Sequence, residues 1–321
     1  MKKLLVVILT VAIIFSGCTT QESEQNEKES QESTPVVKED PQITNEQAEK
    51  IMLEYNELLT KGKPYEVLEL MDQSIGKLSE EDANEMILEL EKVQKQYMAE
   101  YTDALFENDY EKQSQLHKIF GSKFNKDKVE SIEDENLKSL VVEILKGGYQ
   151  FVSLEGDFYP TINYQYLKRY IPYLSNDLKD YIDLAAIEST ELTFSDGAVA
   201  ISWDALANRA LKAEAYLSKY PEGAMRKEVG ELYTMYIGAY INPMYDFETH
   251  KLDNTFIDSY KKLISQGEGT VTAEITKEYL IFIEKNDYAE SDLVRDESNR
   301  LYKKALENLN LGEGSADYNA Q

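Results

Sequence analysis

Residues 79–105, SEEDANEMILELEKVQKQYMAEYTDAL, decide the fold. Ser79 followed by Glu80, Glu81 and Asp82 is a helix-start signal. A hydroxyl stands ready to accept from the first free amides, and carboxylates gather at the positive end of the helix dipole. Behind it Met86, Leu90, Val93, Tyr97, Tyr101, Ala104 and Leu105 recur every three or four residues, which lays them along one side of an α-helix.

The same pattern extends both ways. Upstream, Thr44-Asn45-Glu46-Gln47 has the form of a capping box and opens a stretch carrying Ile51, Leu58 and Leu59. Gly62 ends that stretch, and Pro64 stands where a first-turn proline begins the next helix. Downstream, the signal at 131–134 is followed by Leu137, Leu140, Val141, Ile144 and Leu145, and Gly147-Gly148 stops the helix. Residues 149–163, YQFVSLEGDFYPTIN, change character: they are aromatic and β-prone around a Glu155-Gly156-Asp157 turn. They predict a short β-hairpin or extended segment and a domain boundary.

Helical spacing returns over 164–173 and 176–189, then after a Gly/Ser loop at 190–201 over 202–219, 222–241, 253–265, 272–286 and 292–309. The expectation is an all-α fold of irregular helical hairpins or a bundle in two parts, 44–148 and 149–311, with a flexible tail at 312–321. No strand series of the kind a parallel sheet needs is present. Three turns look alike: Lys61-Gly62-Lys63-Pro64-Tyr65-Glu66, Glu107-Asn108-Asp109-Tyr110-Glu111 and Lys285-Asn286-Asp287-Tyr288-Ala289-Glu290. They are similar to the inter-helix turn of tetratricopeptide-type hairpins, but they are unevenly spaced and the regular period of that family is absent.

The first residues carry an address. Met1-Lys2-Lys3 precedes an apolar run over 4–15 broken only by Thr10, which suits a signal-peptide core and is short for a membrane-spanning helix. The run closes on Phe15-Ser16-Gly17-Cys18. This resembles the lipobox of bacterial lipoproteins, with Phe15 where that family usually has an aliphatic residue. The resemblance implies cleavage after residue 17, a diacylglycerol on Cys18, and attachment to the outer face of the cell membrane. Cys18 is the only cysteine in the chain, so no intramolecular disulfide can form.

Residues 18–43 are nearly all Gln, Glu, Ser, Thr, Asn, Lys and Pro after the cysteine, and cannot bury enough apolar surface to offset chain entropy. They read as a disordered tether with a root-mean-square span of about 25–30 Å. The wealth of Lys, Asn, Ile and Tyr points to a low-GC Gram-positive host.

Composition narrows the function further. A net charge of −26 repels nucleic acid and anionic headgroups and is compatible with cationic partners. The two histidines, His117 and His250, lie in different proposed parts, and no H-E-x-x-H pair exists, so neither a zinc site nor a Ser-His-Asp triad is expected. No phosphate loop, dinucleotide fingerprint or calcium loop appears, and no metal or cofactor is expected.

One carboxylate stands out. Ala185-Ala186-Ile187-Glu188-Ser189, with Gly197-Ala198 beyond, looks like the catalytic Glu-Ser of lytic transglycosylases. The resemblance implies that Glu188 would donate a proton to a glycosidic oxygen. That family continues Gly-Leu-Met-Gln where this chain reads Val199-Ala200-Ile201-Ser202, and a helix C-terminus with Glu188 facing solvent is the reading preferred.

Tyrosine is the outlier of the composition, with 23 residues. Tyr159, Tyr164, Tyr166, Tyr170 and Tyr173 crowd one region and are candidates to line a groove for a sugar or an extended peptide. Tyr233, Tyr236 and Tyr240, at helical spacing, read as packing residues, and so does Trp203. The reading that follows is a lipid-anchored helical binding or assembly module whose partner is an envelope protein or a cell-wall ligand. The alternatives are a glycan-cleaving enzyme using Glu188 and a transporter's substrate-binding lipoprotein.

Overall fold

A computed structural model describes residues 43–107, 110–195 and 197–312. The expected signal peptide, Cys18, nearly all of the tether and nearly all of the tail lie outside them.

The first helix, α1 (Asn45–Lys61), opens on the capping box: Thr44 Oγ1 accepts from the Gln47 amide at 3.3 Å, and Gln47 Oε1 accepts from the Thr44 amide at 2.9 Å. Gly62 closes α1, and Pro64 is the first residue of α2 (Pro64–Ser74). Ser79 caps α3 (Glu80–Phe106) through the Asp82 amide. Then come α4 (Glu111–Phe120) and α5 (Glu135–Lys146), which starts at Asp134 and stops at Gly147.

The hairpin pairs β1 (Tyr149–Leu154) with β2 (Asp157–Ile162), Tyr149 opposite Ile162 and Leu154 opposite Asp157. Glu155 and Gly156 both have positive φ, 51° and 93°, as a two-residue turn matched to strand twist requires. Pro160 is tolerated because β2 pairs on one side only. Its other side is completed by a side chain: the buried Gln113 donates to the Phe158 carbonyl at 3.0 Å and accepts from the Phe158 amide at 2.9 Å.

The remainder is helical. Residues 164–173 were expected as one helix; they form a single α turn, α6 (Tyr164–Leu167), tightening into a 3-10 segment at Lys168–Tyr173 that holds Pro172. After α7 (Asn176–Thr190) the expected loop contains a small antiparallel pair, β3 (Phe194–Ser195) and β4 (Ala198–Val199), too short for any periodicity to announce. The chain finishes with α8 (Trp203–Lys219), α9 (Arg226–Tyr240), α10 (Asn254–Gln266), α11 (Val271–Lys285) and α12 (Asp292–Asn308). The fold is all-α with a short β-hairpin, as the residue pattern predicts.

The helices pack as pairs and corners: α8 lies along α9, α10 touches both α8 and α11, and α12 touches α11 and α9. Acidic side chains tie some of these contacts. The buried Glu214 of α8 accepts from the amides of Val271 and Thr272 at 2.6 and 2.8 Å and from the Thr272 hydroxyl at 2.6 Å. It thereby satisfies the free donors of the first turn of α11 and opposes its dipole.

The division expected between 148 and 149 does not separate two bodies. All described residues belong to one compact unit, Asp40–Gln321, and one apolar core runs from Tyr55 to Leu309. The hairpin, the start of the second part, packs on helices of the first: β2 on α3 and α4, and β1 on α5. That unit holds its own core and caps its own first helix, so residues 40–321 carry what folding needs within them.

At the aromatic position two of the three look-alike turns agree, with Tyr110 and Tyr288 left-handed at φ 65° and 55°, whereas Tyr65 lies in the first turn of α2. Among the described residues no helix is long and apolar enough to cross a membrane.

Candidate functional site

Helix α9, RKEVGELYTMYIGAY, is apolar on more than one side. Val229, Tyr233, Tyr236, Ile237 and Tyr240 face the core and are buried. Glu228, Glu231, Leu232, Met235 and Ala239 recur at the same three-and-four spacing on another face, where they line a cleft of about 890 Å³. Helix α7 presents a second wall the same way, through Tyr181, Ala185, Glu188 and Ser189. The remaining walls come from Lys95 and Met98 of α3, Thr161 and Ile162 of β2, Phe194, and Tyr302 of α12. Asn242 and Asn299, both exposed, also belong to the lining. Gly238 matters here by its lack of a side chain: a Cβ there would sit 3.3 Å from the Tyr302 ring. The cleft is mostly apolar with a few polar groups, and its size is that of a small-molecule site.

The charged groups around it are held differently. Lys95 pairs at 2.7 Å with the buried Glu91, which also accepts from Tyr181 Oη at 2.8 Å; Tyr164 Oη lies 3.1 Å from Tyr181 Oη. Burial first, and then the neighbouring phenol and carboxylate, push the Tyr181 hydroxyl far up, so it stays a neutral donor.

Glu188 accepts four hydrogen bonds: from the Thr193 amide at 2.8 Å, the Thr193 hydroxyl at 2.6 Å, the Arg209 guanidinium at 2.8 Å and Tyr236 Oη at 2.8 Å. Arg209 is buried and also reaches Glu191 at 3.1 Å. Glu231 lies 3.7 Å from Lys227. Glu228, half-buried in the first turn of α9, is different: among the described residues no hydrogen bond or ion pair holds it. The buried hydroxyl of Thr161, another lining residue, also has no partner among them.

Of the five tyrosines proposed for a groove, the structure brings only Tyr164 to the cleft. Tyr159 packs against Phe106, with ring centroids 5.2 Å apart. Tyr166 carries the Arg169 guanidinium 3.5 Å above its ring. Tyr170 is buried and donates to Asp72 at 2.7 Å, and Tyr173 lies against Gly76. Residues 166–173 thus fasten the segment to α2 and its end, and the five do not form one groove. Glu188 does line the cleft, but tied to its own scaffold where solvent contact was expected. Trp203 stacks on Phe256 at 4.0 Å, the packing role read from the sequence.

Sequence reasoning missed the α9 face. Its signal was present: a helix whose apolar and small residues exceed what one stripe can bury, with two acids on the second stripe. Among the described residues no group of three or more His, Cys, Asp or Glu side chains is placed to hold a metal ion. Comparison with protein-family models, with curated proteins and with solved structures gives no match for this chain.

Proposed function

We propose that this chain is a lipid-anchored, extracytoplasmic binding protein whose helical body takes up a ligand in the cleft between α3, α7, α9 and α12. The observation that carries the reading is the cleft itself: about 890 Å³, lined by apolar and tyrosine side chains from both halves of the chain, with few polar groups converging on it. The anchor rests on the lipobox-like Phe15-Ser16-Gly17-Cys18 and on the lone cysteine. A tether of polar residues between anchor and body would let the body search near the membrane.

The glycan-cleaving alternative has less support. A general acid must carry a proton to donate, and all four partners of Glu188 donate to it. The transporter-type alternative gains nothing from an all-α body.

The test uses residues 40–321 and a neutral environment-sensitive dye, N-phenylnaphthylamine, followed by fluorescence. One saturable site is expected, lost when Ala239→Trp fills the cleft. Absence of saturable binding, or binding indifferent to the filled cleft, removes the reading. Separately, Cys18→Ser should abolish fatty-acid labelling and release the protein from the membrane fraction; persistent labelling overturns the anchor.

A further inference from the structure

Every charged side chain lining the cleft has an internal counter-charge except one. Lys95 is matched by Glu91, Glu188 by Arg209 and Glu231 by Lys227. Glu228 has no partner among the described residues, although two cations sit beside it in sequence. Arg226 is spent on the carbonyls of Leu217 and Leu309, both at 2.7 Å, and Lys227 turns to Glu231. The carboxylate is half-buried at the edge of an apolar cavity, where solvent screens it less than at the open surface. The unpartnered hydroxyl of Thr161 and the neutral phenols of Tyr164 and Tyr181 belong to the same lining and can accept or donate further bonds. The field of a chain carrying net charge −26 draws cations toward such a site.

We infer that the cleft takes a small amphiphile bearing a protonated amine, with its apolar body between α7 and α9 and its ammonium on Glu228. The inference rests on the cleft being a binding site and adds the chemical class of what binds. Glu228 is then the residue that sets specificity, for two reasons. An ammonium gains a charge-assisted bond with a carboxylate that otherwise has none. An amphiphile with a carboxylate head would bring a second negative charge to the same place.

Three probes of equal chain length separate the head group from the tail: decylammonium, decanol and decanoate, titrated calorimetrically into residues 40–321 below their aggregation concentrations. The expected result is a single site with decylammonium bound at least about tenfold tighter than decanol, and decanoate weakest. In Glu228→Gln the preference for the amine should vanish while decanol affinity is kept. In Glu222→Gln, which removes an exposed carboxylate outside the cleft, the preference should persist. The melting curves of both variants establish that they fold. Equal affinity for the three probes, or an amine preference that survives Glu228→Gln, overturns the assignment of Glu228 while leaving an apolar binding cleft. Failure of all three to bind saturably overturns the cleft reading together with this one.

Discussion

Raising the pH should unfold this protein abruptly, because its core is built on phenols. Six tyrosines, Tyr55, Tyr233, Tyr236, Tyr240, Tyr260 and Tyr279, are at most 1% exposed. Burial pushes each hydroxyl well above its ordinary value, and nearby charge strengthens the effect at several: Glu89 beside Tyr55, Glu188 beside Tyr236, and the neighbouring phenols around Tyr260 and Tyr279. The folded state therefore prefers the neutral phenol, while the unfolded chain titrates near pH 10. A group whose folded value is raised contributes stability that is whole below the unfolded value and is lost as pH rises toward the folded one.

One unit above the unfolded value, each such tyrosine has lost about 1.4 kcal/mol, and the six together about 8 kcal/mol. That is comparable with the whole stability of an ordinary domain, about 5–15 kcal/mol. The assay follows tyrosinate absorbance and helical circular dichroism on the same sample. Between about pH 10 and 11.5 both should change in one cooperative step, with the absorbance lagging behind free tyrosine until the helices go. Smooth titration near pH 10 by all the tyrosines, with the helical signal intact, would refute the reasoning. It would mean that water reaches these buried hydroxyls in the folded state.

Four further outcomes follow from single side chains. Glu214→Ala leaves two amides at the start of α11 without an acceptor and should cost about 3 kcal/mol in a urea titration, with Glu214→Gln roughly half as costly; a loss under about 0.5 kcal/mol would contradict the capping role. Gln113→Leu should cost about 2–3 kcal/mol by stripping the Phe158 amide and carbonyl of their partner, read as a lowered melting temperature and faster amide exchange along β2. Lys304 first, and then Arg300, hold the Glu278 carboxyl below its usual range, so its contribution is present above about pH 4 and is lost as pH falls through the folded value. Glu278 is 41% exposed, so Glu278→Gln should lower stability by less than about 1 kcal/mol at pH 6, a gap that closes as pH falls through the folded value. Finally, Glu188→Gln should destabilise by about 2–3 kcal/mol, because the guanidinium of Arg209, 4% exposed, keeps its bond to the Thr193 hydroxyl but has only the solvent-facing Glu191 as counter-charge; unchanged stability would argue that Glu188 is not part of the scaffold.

Much of the architecture was legible because it is written in local rules. Thr44, Ser79, Asp134, Ser202, Asp253 and Ser291 each cap a helix through a side-chain oxygen, and each stands just before a run of apolar residues at helical spacing. Gly62, Gly147 and the Glu155-Gly156 pair mark ends and turns for equally local reasons. Features that depend on who packs against whom were not legible. The hairpin at 149–163 reads as a boundary because its composition changes, yet Gln113, 45 positions away, completes its edge and makes it part of the core. Tyr159–Tyr173 read as a groove because tyrosines cluster in sequence, but a hairpin, a helical turn and a 3-10 segment point them at Phe106, Arg169, Asp72 and Gly76 in turn. The cleft draws on residues from Lys95 to Tyr302, a separation that no spacing rule within one window can reveal.

Two carboxylates of that cleft illustrate how structure assigns roles that composition cannot. Glu188 and Glu228 are both lining residues, and of the two only Glu188 stood out in the sequence. The fold gives Glu188 an arginine from α8, a tyrosine from α9 and a threonine from the loop after α7, so its charge is spent inside the molecule, where it fixes α7 to α8 and α9. A charge neutralised by its scaffold has little left to offer a ligand, and freeing it would require the loss of at least one strong bond. Glu228 carries no such obligation: it stands in the first turn of α9, and among the described residues nothing occupies either of its oxygens. Its attraction for a cation is therefore undiminished by internal bonds, and on that difference rests the choice of Glu228 over Glu188 as the group that meets the ligand.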